Sequence, residues 1–208
     1  MPDFCYSQRM SRDLIQMSLR RVREGRGSYA VRPSTDWVQQ VPDLNALFKG
    51  IPYLVIGGLA TRLYMPERMT LDIDILIARE QGEEAEQVLK RAGATFRGPL
   101  SFGGSSWHVD GRLIDVVLLE KPWLPEAFAH PQRGSDGLPY IDLPWLILLK
   151  LEASRSQDLA DCARMLGVAD EAMLKRVRCA VQQYCPMDID DVESLIKLGR
   201  LEQVAERE

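Results

Sequence analysis

Residues 53–58, Tyr53-Leu54-Val55-Ile56-Gly57-Gly58, and residues 71–77, Leu71-Asp72-Ile73-Asp74-Ile75-Leu76-Ile77, set the architecture. The first is an apolar run stopped by a glycine pair, the pattern of a buried strand that turns sharply into a helix, here over 59–65. The second alternates acidic and apolar residues and then becomes wholly apolar. A period of two puts Asp72 and Asp74 on one strand face, with Leu71, Ile73 and Ile75 on the other. Further out, Glu83 to Arg91 reads as a surface helix ended by Gly93. Trp107-His108-Val109 and Arg112 to Leu119 read as a hairpin, because the intervening Asp110-Gly111 suits a two-residue turn. Ser101 to Ser106 (SFGGSS) reads as a flexible polar loop, and His108 as a surface or satisfied histidine. From Pro144 the chain reads as helical, over 144–166, 170–184 and 188–205. The order implies an α+β (α/β) fold: a small mixed β-sheet flanked by helices, followed by a C-terminal helical region. The expected boundaries are 1–32 for a basic N-terminal helix or arm, 33–140 for the sheet domain and 141–208 for the helical region.

The composition narrows the class. With 208 residues, 46% hydrophobic and 27% charged, the chain can bury a full core and is not of the disordered type. No apolar run reaches the ~18–20 residues that cross a bilayer, and MPDFCYSQRM lacks the apolar segment of a secretory signal. Cys5, Cys162, Cys179 and Cys185 form no C-x-x-C pair, so reduced thiols, a cytoplasmic location and no membrane association are expected. Two histidines argue against a histidine zinc site. The net charge of −4 is uneven. Seven arginines within 1–32, against Asp3, Asp13 and Glu24, make that segment +4, and the remainder is therefore −8. A basic arm on an acidic body suits an RNA or acidic partner; a solvated arginine-rich helix over 8–24 is the simpler reading of the same charge.

Three pieces carry chemistry. Gly57-Gly58 follows a strand and lets backbone amides approach a phosphate closely. Asp72 and Asp74 repel each other unless a divalent cation lies between their oxygens, for which Mg2+ is suited. Asp115, inside Leu113-Ile114-Asp115-Val116-Val117-Leu118-Leu119, is costly to bury unless it pairs with an arginine such as Arg112 or Arg68, or binds metal. Arg68 either clamps a phosphate or pairs with Glu67; Thr70 either bonds a nucleotide or caps the strand. On the helix expected over 144–166, Lys150 and Asp158 read either as phosphate-reaching groups or as a solvated charge ladder.

The glycine pair, the thirteen-residue interval to Asp72-x-Asp74 and the later strand aspartate resemble the DNA polymerase β-like nucleotidyltransferase superfamily over residues 51–120. Arg68-x-Thr70-x-Asp72-x-Asp74 with Lys150-(x)4-Arg155-(x)2-Asp158-(x)2-Asp161 is more closely similar to the AbiEii/AbiGii-type toxin-like nucleotidyltransferases, over 51–166. Gln157 stands where members of that family often carry lysine. The resemblance implies that 33–140 is a catalytic domain in which Asp72, Asp74 and Asp115 hold two Mg2+ ions, with Mn2+ as a substitute. Gly57, Gly58, Arg68, Thr70, Lys150 and Asp158 would bind a nucleoside triphosphate. It implies transfer of a nucleoside monophosphate to a hydroxyl of RNA, such as a tRNA 3′ end, or of protein, and a cognate antitoxin as partner. The alternatives are an antibiotic nucleotidyltransferase of the aminoglycoside or lincosamide kind, and an inactive nucleotide- or partner-binding module.

Overall fold

The computed structural model describes residues 41–70 and 72–205. The basic arm over 1–32, the helix over 8–24, the segment around Trp37 and Leu71 lie outside the described residues. The chain divides after Asp142 into two compact units.

The first unit is a seven-stranded mixed sheet in the order β3-β4-β5-β2-β1-β7-β6. Its strands are β1 (Leu54–Val55), β2 (Ile73–Ala78), β3 (Thr95–Pro99), β4 (Gly104–Val109), β5 (Arg112–Leu119), β6 (Gln132–Arg133) and β7 (Pro139–Tyr140). The helices here are α1 (Leu44–Leu47), α2 (Gly57–Thr61), α3 (Gly82–Arg91) and α4 (Leu124–Ala129). β2 pairs parallel with β5 and β1 parallel with β7; the other pairings are antiparallel. Ile73, Ile75 and Ile77 of β2 and Ile114 and Val116 of β5 are all buried on one face. Removing such side chains from water contributes ~1.5–3 kcal/mol each. α3 covers that face with Ala85 and Leu89, and its Glu86 accepts from the Ser105 hydroxyl at 3.4 Å. The opposite face carries Asp74, Leu76, Asp115 and Val117. β4 and β5 meet at Asp110-Gly111, both at positive φ (47° and 81°), as a two-residue turn of this hand requires.

Several expectations change. β2 begins at Ile73, so Asp72 lies in the bend before it and the period-two argument reaches only Asp74. The helix expected over 59–65 is the single turn α2. Residues 104–106 of the supposed loop are strand, because β4 extends along the full hairpin to pair Gly104 with Val117. β3, β6, β7 and α4 carried no clear period and were not anticipated.

The second unit holds α5 (Leu143–Ala153), α6 (Ser156–Val168), α7 (Glu171–Tyr184) and α8 (Ile189–Ala205). The single helix expected over 144–166 is broken: Ser154 takes φ 50° and Arg155 is extended. α5 is not amphipathic but buried on almost every side, consistent with its run of Leu, Ile and Trp. Asp170 caps α7 by accepting from the Met173 amide at 2.8 Å. Trp145 meets Tyr184 edge-on at 5.9 Å between centroids. Burial raises the pKa of the Cys162 thiol well above the usual range, an inert setting. No helix among the described residues is long and apolar enough to cross a membrane.

α6 and α8 touch backbone to backbone. A Cβ on Gly199 would stand 1.8 Å from the Ala163 carbonyl oxygen, and one on Gly167 would stand 2.5 Å from the Gly199 carbonyl carbon. Only residues without side chains permit that crossing. Gly199→Ala is therefore expected to destabilise the protein by ~1–3 kcal/mol in urea unfolding, despite its better helix propensity.

Candidate active site

The first expected cluster assembles around Gly57. At φ +61° this residue leaves β1 in a conformation that suits glycine, and a Cβ there would lie 1.9 Å from Asp74 Oδ2. The carboxylate thus occupies the space of the missing side chain. Beside it, a Cβ on Gly58 would lie 2.5 Å from Thr70 Cβ and Oγ1. Thr70 in turn donates to the Asp72 carbonyl at 3.3 Å, so it is wedged between the glycine turn and the approach to β2. The Ile56 amide donates to the Asp74 carbonyl at 2.9 Å, and the Thr61 hydroxyl to the Gly57 carbonyl at 2.9 Å. α2 has five residues, too short for a macrodipole to matter, so the amides of Gly57 and Gly58 count individually. Arg68 donates to the Met69 carbonyl at the start of this approach.

The parallel β2–β5 register sets Asp74 directly beside Asp115. Partners on adjacent strands share a face at a strand spacing of ~4.8 Å. Both are half-buried, and Asp115 Oδ1 is buried with no hydrogen-bond partner among the described residues. Asp72, in contrast, is exposed in the bend. Among the described residues no three Asp, Glu, His or Cys side chains gather into a metal-holding cluster. Two carboxylates, one with an unpartnered oxygen, nevertheless fit Mg2+, which commonly takes one or two protein carboxylates together with substrate phosphates and water.

The second expected group lies in the helical unit. Lys150 is buried, and its Nζ donates to Asp161 Oδ2 at 2.7 Å and Asp158 Oδ1 at 3.4 Å. Arg155 Nε donates to Asp158 Oδ2 at 2.6 Å, and Gln157 Nε2 to Asp161 Oδ1 at 2.8 Å. The charges form a satisfied network across the α5–α6 break, not a ladder on a solvated face. Gln157 serves Asp161 as a neutral donor.

The reading of the residues missed Ser106. It pairs with Asp115 across β4 and β5, on the face that carries Asp74. Its signal was present. Counting outward from the Asp110-Gly111 turn pairs 109 with 112, and hence 106 with 115.

No family model matches the sequence, and none of the curated proteins does. Among solved structures, the chain is similar to the crystal structure of ANT(2″)-Ia in complex with adenylyl-2″-tobramycin. That likeness has 20% identity and a TM-score of 0.38, covering 73% of this chain and 88% of that one. The solution structure of the antibiotic-resistance factor ANT(2″)-Ia is similar at 16% identity and a TM-score of 0.38, with 76% and 87% covered. At this distance the chemistry of the site rests on this chain's own residues.

Two substitutions distinguish a carboxylate with an unpartnered oxygen from a paired ion network. Asp115→Asn removes a charge whose Oδ1 has no partner, so unfolding free energy is expected to stay level or rise by up to ~1 kcal/mol. Lys150→Met leaves two buried carboxylates short of a cation and is expected to lose ~3 kcal/mol. That is the low end for breaking a buried pair, because Gln157 and Arg155 still serve the carboxylates. Both are read from denaturant midpoints.

Proposed function

We propose that the protein is a nucleotidyltransferase, moving a nucleoside monophosphate from a triphosphate to a hydroxyl of a small amine-bearing acceptor. The observation that carries this reading is the register pair Asp74–Asp115, with its unpartnered oxygen, beside a glycine turn that admits no side chain. In the reaction the acceptor oxygen bonds to the α-phosphorus. The bond from that phosphorus to the bridging oxygen breaks, pyrophosphate leaves with the electron pair, and the acceptor proton passes to Asp115 or to water. Asp74 and Asp115, joined by Asp72 from the bend, would hold Mg2+, with Mn2+ as a substitute. When bound, such ions neutralise the charge that grows on the attacking and leaving oxygens. Gly57 and Gly58 would offer their amides to the β- and γ-phosphates, with Arg68 near the same approach. Thr70 would keep the turn and the acidic strand in register while contacting the nucleotide. Lys150 and Asp158 enter this reading as nucleotide-binding candidates through the motif resemblance.

The charge of −8 beyond residue 32 supports a neutral or cationic acceptor over a polyanion. The seven arginines within 1–32 favour the second reading, an RNA or tRNA acceptor with a toxin-like role and a cognate antitoxin. Labelled triphosphates with Mg2+, offered an aminoglycoside panel and total tRNA, distinguish them. Label on the drug is the expected result; label on RNA alone installs the second reading. Failure to bind any triphosphate in calorimetry would leave an inactive binding module. Asp74→Ala is expected to cut turnover by at least ~100-fold with unchanged circular dichroism.

A further inference from the structure

The site has a direction. The glycine turn lies on the β1 side of Asp74, and Ser106 lies on the opposite side, beyond Asp115, so Asp74, Asp115 and Ser106 form a row across β2, β5 and β4. If the triphosphate sits at the glycine end, pyrophosphate departs there. In-line displacement then brings the acceptor from the other end of the row, along β4. Two residues beyond Ser106 on the same face is His108, which is exposed and pairs with Leu113 on β5 and Thr95 on β3. Directly opposed side chains on paired strands stand ~4.5–5.5 Å apart and diagonal ones ~7–8 Å. Ser106 is therefore an immediate neighbour of Asp115, and His108 is within one sugar ring of it. Ser105, by contrast, faces the other way, where its hydroxyl accepts from Trp107 Nε1 at 2.8 Å.

We infer that Ser106 and His108 form the acceptor-binding strip of this site, and that the acceptor they take is an amine-bearing sugar. This rests on the nucleotidyltransferase reading and adds to it the residues that set acceptor affinity. A serine hydroxyl both donates and accepts, and a neutral imidazole offers one donor and one acceptor nitrogen. That pair suits sugar hydroxyls and ammonium groups. The net charge of −8 beyond residue 32 favours a cationic acceptor.

The chain has two histidines, His108 and His130, so a histidine-selective carbon–proton NMR spectrum holds two Cε1–H ring signals, assigned with His130→Ala. Tobramycin is added to the protein saturated with Mg2+ and a non-hydrolysable triphosphate. The His108 signal is expected to shift saturably while His130 stays fixed. In turnover with tobramycin, His108→Ala and Ser106→Ala are expected to raise the acceptor KM ~10-fold or more and to leave triphosphate affinity unchanged; Ser106→Thr restores the KM. A protein that binds the triphosphate yet shows no His108 shift, or variants with an unchanged acceptor KM, would overturn the strip. Absence of triphosphate binding in the wild-type protein defeats the underlying reading instead.

Discussion

The parallel pairing of β2 with β5 is the constraint on which the site depends. It sets two aspartates side by side on adjacent strands, where like charges repel and Asp115 Oδ1 lacks a donor. A fold retains such an arrangement only when the rest of the sheet supplies enough burial to hold the strands together. The isoleucine face under α3 does so, and the two faces of β2 thus divide the work: one stabilises, the other carries Asp74 beside Asp115. Gly57 extends the same logic, since the turn after β1 can pass this close to Asp74 only without a side chain.

The helical unit handles buried charge in the opposite way. Lys150, Asp158, Asp161, Arg155 and Gln157 satisfy one another, leaving the network neutral and its carboxylates paired. The contrast separates two meanings of a conspicuous polar motif. A satisfied network fixes helices relative to one another, whereas the unpaired Asp115 oxygen leaves chemical capacity unused by the fold.

Much of the sheet was legible because its signals are local. The alternation around Asp74, the glycine pair and the Asp-Gly turn each act over a few residues. The extent of β4 was not, because Gly104-Ser105-Ser106 has loop composition and becomes strand only through its pairing with β5. Asp72 was misplaced for a related reason: alternation says which side a residue takes within a strand, not where the strand begins. The break at Ser154 was hidden because no glycine or proline stands between residues 145 and 166 to mark it. The Gly167–Gly199 crossing had no periodic signature at all, since a close approach of backbones leaves its mark only as missing side chains.

That break has an energetic consequence. In an uninterrupted helix, residues 150 and 158 would be ~12 Å apart along the axis; here Lys150 Nζ lies 3.4 Å from Asp158. Straightening the corner would pull an ammonium away from its counterions inside the protein. The bend and the ion cluster therefore form together or not at all, an electrostatic clasp that makes two short helices behave as one cooperative element.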